Sequence, residues 1–386
     1  MTVYLDYNGT TPVDQAVRES MLPYLGEHYG NPSSSHWAGK EAREAVEHSR
    51  RQVAALLGGS PEEIVFTSGG SESDNLALQG IVFANWRPGQ PSPHIVTSMV
   101  EHPAVDNCCS FLESLGVRIT RLAVDRHGRL TPEQVAAAMT DETLLVSLML
   151  ANNETGVVFP LAEIAEVTRA RGVLLHTDAV QAVGKMPVDV QSLGVDLLSI
   201  SGHKFYAPKG IGALWIRSGV SVAPLIHGGG QEQGRRSGTE AVAGIVGLGK
   251  AASLLTDRQP EEMQRLAKLR HYCEASLTSE LQGVTIHGAV AERLTNTTSF
   301  SVPGVDGESL RVHLELQGIA VSAGSACSSG NGKGSRVLGA MGIPYAIAQS
   351  SLRISLGRWT TIDEIDTFVE ILKNVSTSLQ AISPLY

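Results

Sequence analysis

Cysteine is too scarce and too scattered to staple this chain. The four present among 386 residues, Cys108, Cys109, Cys273 and Cys327, suit neither a disulfide framework nor the paired ligand spacing of a zinc site, so no metal is expected and a reducing cytoplasm fits best. Long hydrophobic runs are also missing. No stretch reaches the roughly 20 apolar residues of a membrane helix, and Met1-Thr2-Val3-Tyr4-Leu5-Asp6-Tyr7 has no basic start or apolar centre of a signal peptide, so neither export nor membrane insertion is expected. There is no Lys/Arg run, and the formal net charge is −9; nothing in that balance draws the chain to nucleic acid or an anionic membrane. Internal repeats are absent as well.

What is present is glycine and an alternating pattern. Hydrophobic residues make up 42% and there are 40 glycines, a balance typical of a soluble α/β protein with many tight turns. The length exceeds what one core usually serves, which predicts two domains. Short apolar runs at Ile64–Phe66, His94–Thr97, Val117–Ile119, Leu144–Leu148, Val173–His176 and Leu197–Ile200 alternate with segments of helical period. That is the βαβ pattern of a mainly parallel sheet with helices on both faces, over about residues 60–220. Thr131-Pro132-Glu133 and Pro160 mark helix starts. Beyond Gly219 two long helices, Glu240–Leu255 and Glu261–Leu281, are followed by strands near Thr297–Val302, Ala320–Ala323 and Leu352–Leu356 and a last helix from Thr361. This predicts a smaller α+β domain. Ser322–Ser335, dense in Gly and Ser around Cys327, is expected to be a mobile loop.

Three junctions could carry chemistry. Ile64-Val65-Phe66 runs into Thr67-Ser68-Gly69-Gly70-Ser71-Glu72-Ser73 before a helical pattern; small residues there leave N–H groups and the helix dipole open to a phosphate. It is neither a Walker A loop nor GxGxxG, and a plain glycine turn explains the segment equally well. His176-Thr177-Asp178 sets a carboxylate at a strand's carboxyl end, where α/β sheets bind ligands. It could keep a bound pyridine nitrogen protonated, or simply cap a helix. Ser199-Ile200-Ser201-Gly202-His203-Lys204 places a lysine just past the next strand; desolvated, it can form a Schiff base, while Ser201 and His203 can reach a phosphate. Alone, such a lysine is ordinarily a solvated side chain.

Ser201-Gly202-His203-Lys204, preceded by Asp178-Ala179-Val180-Gln181, resembles the cofactor signature of class V, fold-type I enzymes of pyridoxal 5'-phosphate (PLP). Gly30-Asn31-Pro32-Ser33-Ser34, Glu101-His102, Asn152-Asn153-Glu154-Thr155-Gly156, Arg236-Ser237-Gly238-Thr239, Gly324-Ser325-Ala326-Cys327 and Arg353-Ile354-Ser355-Leu356-Gly357 resemble, in order, the blocks of group I cysteine desulfurases (NifS/IscS type). The resemblance covers nearly the whole chain. It implies a large PLP-binding domain at 15–258 and a small domain of 1–14 with 259–386. It implies that Lys204 holds the cofactor and that His102 lies on the ring and shuttles protons. Asn153 and Gln181 would hold the phenolic oxygen, and Asp178 the ring nitrogen. Gly70, Ser71, Ser201 and His203 would hold the phosphate, together with Thr239 of a second subunit in a homodimer. Arg353, with Asn153 beside it, would bind the substrate carboxylate.

The activity implied is removal of sulfur from L-cysteine. Lys204 would take the Cα proton; the Cys327 thiolate would attack the substrate sulfur, leaving alanine and a persulfide that a protein acceptor collects. Lys333 or Arg336 could lower the Cys327 thiol from its free value of about 8.5. Cys108, Cys109 and Cys273 fall in helical segments and are expected to pack. Lys333-Gly334 departs from the family's usual Glu-Pro, which leaves the acceptor open among iron–sulfur clusters, tRNA, other thiocofactors and DNA sulfur modification. Selenocysteine lyase or aminotransferase chemistry, and a docking hub for sulfur transfer, remain the competing readings.

Overall fold

The computed structural model describes residues 2–382 except Pro88 and 325–333, so Cys327 and Lys333 lie outside the described residues. The strands in chain order are β1 (Val3–Tyr4), β2 (Ile64–Thr67), β3 (His94–Ser98), β4 (Arg118–Leu122), β5 (Thr143–Ser147), β6 (Leu174–Asp178), β7 (Leu197–Ser201), β8 (Gly212–Ile216), β9 (Thr285–Ile286), β10 (Thr297–Ser301), β11 (Ile319–Ala320), β12 (Ser322–Ala323) and β13 (Ser351–Ser355). Seven of them form one sheet in the order β2-β8-β7-β6-β5-β3-β4. Only β8 runs against its neighbours; the other pairings are parallel.

The two-residue period of these strands builds two cores, one on each face. Ile64 and Phe66 of β2, Val96, Val146, Leu175 and Leu198 pack with the helices Trp37–Leu57, Leu161–Ala170 and the first half of Val242–Glu280. The intervening residues Val65, Ile95, Leu145 and Leu197 pack with the helices Gly70–Asn85 and Pro103–Ser114. The expected mainly parallel sheet with helices on both faces is therefore present. A third cluster joins Val3, Leu5, Phe300, Leu310, Leu352, Ile354 and Phe368 to Leu266, Leu269 and Leu277, around the antiparallel sheet β12-β13-β10-β9. Val337, Leu338 and Met341, late in sequence, pack instead with the first cluster.

Two expectations change. Glu240–Leu255 and Glu261–Leu281 are not two helices: a single helix of 39 residues, Val242–Glu280, passes through Pro260. Proline removes one N–H and normally breaks or kinks a helix. Here the turns around it are tied down from both sides, Gln259 Nε2 donating to the Met186 carbonyl at 2.6 Å and Glu262 accepting from Arg358 at 3.0 Å. The Gly/Ser-rich stretch is likewise not loop throughout. Ser322–Ala323 pairs with β13, and Ser335 caps the helix Arg336–Ala340; the rest lies outside the described residues. The helix starts are as expected, Thr131 and Gln134 closing a reciprocal cap. The cysteines within the described residues are buried among apolar side chains, where burial pushes the Cys108 thiol up to about 12 and holds Cys109 and Cys273 higher still.

Candidate active site

β2, β6 and β7 present their carboxyl ends at one edge of the sheet, which gathers Gly70, Asp178 and Lys204 around a cleft of about 300 Å³. The segment after β1 and strand β13 close it from the other cluster, contributing Asn8, Gly9 and Arg353.

The helix Gly70–Asn85 begins four residues earlier than the sequence pattern indicates. Gly69 offers it no capping side chain, so its first turn, with Gly70 and Ser71, lines the cleft directly. A methyl on Gly70 would come within 2.7 Å of Val180 Cγ2; only hydrogen fits there, and the backbone is left accessible to an anion. Ser201 and His203 line the same cleft. Burial, then the nearby Lys204, Lys209 and Lys185 charges, press the His203 imidazole down to about 4, so it is neutral at physiological pH.

Asp178 ends β6, lines the cleft and accepts the Val180 N–H at 2.9 Å. Burial raises its carboxyl, against the pull of His102 and Lys204. Lys204 follows β7 in a short 3₁₀ turn, Gly202–Lys204; its Nζ donates to the carbonyls of Asn8 at 2.6 Å and Gly9 at 2.9 Å. His102 caps the helix Pro103–Ser114, its Nδ1 accepting the Ala104 N–H at 3.2 Å. With Nδ1 an acceptor, the neutral ring carries its proton on Nε2, and burial lowers its affinity for a second. Gln181 lines the cleft and donates from Nε2 to Asn8 O at 3.0 Å. Asn153 lines it too, its carbonyl accepting from Arg353 at 2.8 Å. Arg353 is buried, paired with Asp6 at 2.6 Å, and its Nε has no hydrogen-bond partner among the described residues.

Gly70, Ser71, His102, Asn153, Asp178, Gln181, Ser201, His203, Lys204 and Arg353 thus share one cleft. Thr239 does not; it is exposed on a separate groove with Leu25 and Tyr29. Cys327 is outside the described residues, and Arg336, considered as its neighbour, is held by Asp106 at 2.6 Å and by the Glu101 carbonyl. Sequence reasoning passed over Asn8 and Asp74. Asn8 acts here through its carbonyl, which has no side-chain signature. Asp74 was detectable, since positions three and four beyond Ser71 and Gly70 share their helix face; it is fully buried, and its Oδ1 has no hydrogen-bond partner among the described residues.

A family model for aminotransferase class V matches residues 3–368. The chain belongs to that family. Within it, the chain is 47% identical to the cysteine desulfurase IscS of Dictyoglomus turgidum over 382 residues, 99% of this chain and 96% of that protein. Among class-V structures, a NifS-like protein superimposes with a TM-score of 0.92 at 38% identity, covering 98% of this chain and all of the other. SspA, solved in complex with cysteine, is 36% identical with a TM-score of 0.82, over 93% of this chain and 100% of that one. Class-V enzymes of this kind use PLP. The residues present fit it: one cleft holds an amine, a buried acid and an uncapped helix start, with a glycine where any Cβ would intrude.

Proposed function

We infer that this chain is a cysteine desulfurase, converting L-cysteine to L-alanine with transfer of the sulfur to Cys327. The observation that carries the reading is that Lys204 shares one cleft with Asp178 and the uncapped start of the helix Gly70–Asn85. The near-full-length relatives named cysteine desulfurase, and the cysteine seen with a structural neighbour, favour the substrate.

Gly70, Ser71, Ser201 and His203 would hold the PLP phosphate, Asp178 the ring nitrogen, Asn153 and Gln181 the phenolic oxygen. When bound, the cofactor supplies an electron sink beside the substrate's Cα. Lys204 anchors it and moves the Cα proton at Nζ. His102, its proton on Nε2, covers the ring and exchanges protons with the substrate. Arg353 takes the substrate carboxylate, exchanging the Asp6 contact for a second carboxylate of like geometry. Cys327 attacks the substrate sulfur; the carbon–sulfur bond breaks with its electron pair left on carbon, which is protonated to alanine, and Cys327 keeps the sulfur as a persulfide. An acceptor protein then collects it. The third hydrophobic cluster supports a division into a large domain, 15–258, and a small one, 1–14 with 259–386. A homodimer is supported by Leu22, Leu25, Tyr29 and Trp37, exposed within one short stretch, and by Thr239 lying away from its own chain's cleft.

Incubation of the PLP-loaded protein with L-cysteine and a reductant is expected to give alanine and sulfide in equal amounts. Lys204→Ala should lose the visible cofactor band and about 10³-fold of the rate. Cys327→Ser should keep the band and form no persulfide; sulfide release at the full rate from that variant would refute the mechanism.

A further inference from the structure

One buried basic group is not used by this chemistry. Lys185 is 5% exposed and stands one helical turn's spacing after Gln181, outside the lining of the cleft. Its Nζ donates to Gln181 Oε1 at 2.6 Å; Gln181 Nε2 donates to Asn8 O at 3.0 Å; and Asn8 O accepts Lys204 Nζ at 2.6 Å. The two ends of the Gln181 amide are thereby told apart. A peptide carbonyl only accepts, so Nε2 is held toward Asn8 and the cleft, and the oxygen is left toward Lys185, whose Nζ donates to it.

We propose that Lys185 is a positioning residue that fixes the Gln181 amide with its N–H₂ toward the cofactor's phenolic oxygen. The inference rests on the PLP reading above. Without Lys185, the buried Oε1 loses its donor, and a buried acceptor left so is unfavourable. The amide then rotates to find another donor and no longer supports negative charge on the phenolic oxygen. The charged groups around Lys185 act in opposite senses. Lys204 and Arg353 oppose its proton and Asp6 favours it, with burial the largest influence and the net effect well below the ordinary lysine range; His203 also feels the Lys185 charge.

The test is a pH titration of the visible band of bound PLP. Lys185→Met, which keeps the length and removes the donor, is expected to raise the titration midpoint by about one pH unit, a tenfold change in proton affinity. Gln181→Met should shift it in the same direction, and the double variant by no more than the larger single shift, because the two act through one hydrogen bond. A wild-type midpoint in Lys185→Met, or fully additive shifts, would overturn the proposal. Should Lys185→Met not fold, Lys185→Leu replaces it with the same expectation; failure of both to fold places Lys185 in the scaffold alone and also overturns it. A wild-type protein that takes up no PLP refutes the parent reading instead.

Discussion

Glu101 shows how much depends on single buried groups around the cleft. Its carboxylate accepts Ser98 Oγ at 2.6 Å and the Met149 N–H at 3.1 Å, yet burial lifts it from an ordinary 4.5 to about 8. Between those values the folded protein keeps a proton that the unfolded chain has released. The contribution is complete below pH 4.5 and lost as pH rises through about 8. His176 acts at the other side: burial lowers it from 6.5 to about 3, so its contribution is lost as pH falls from 6.5 toward 3. Glu101→Gln should therefore flatten the alkaline side alone. Urea midpoints measured at about pH 5 and about pH 8 should differ less in the variant than in the wild type. At this scale the sequence was legible where a side chain lines the cleft, as at Lys204, Asp178 and His102. It was silent where a backbone carbonyl does, as at Asn8, and where a lysine acts from behind another residue, as at Lys185.

Secondary elements are held in place by buried pairs of opposite charge as well as by apolar faces. Arg50, on the helix Trp37–Leu57, makes two 2.8 Å bonds to Glu232 and one of 2.9 Å to the Ile64 carbonyl, and Glu232 also accepts the Phe66 N–H. Glu232 sits at φ 50°, a conformation that non-glycine residues adopt only at a cost, and the pair holds it there. Arg50→Met would leave that carboxylate buried and unpaired, and chemical denaturation should register a loss of about 3–5 kcal/mol. The six strands predicted for the large sheet all occur, and in five of them two-sided burial writes β-branched and apolar runs into the sequence. β8 and the short β1 and β9 were not anticipated, since five apolar residues, or two of any kind, have no distinctive period. The helix Val242–Glu280 was divided in two at Pro260 because local propensity cannot register the tertiary contacts that carry a helix through a proline.

At the scale of the whole molecule, the exposed apolar stretch from Leu22 to Trp37 calls for cover, and Thr239 opens on the groove formed by Leu25 and Tyr29. If the proposed homodimer uses this face, a Tyr29→Glu/Trp37→Glu protein should scatter light as a monomer and bind PLP less tightly than the wild type; unchanged mass and affinity would count against that dimer. Which surface faces a second copy could not be read from sequence, because exposure is a property of the folded chain. The helix Val242–Glu280 has its own consequence at this scale. It is 39 residues long, about 58 Å at 1.5 Å per residue, and its two halves are embedded in different hydrophobic clusters. It works as a common axle: one degree of tilt at one end moves the other by about 1 Å, and the two clusters cannot draw apart unless the axle itself unwinds.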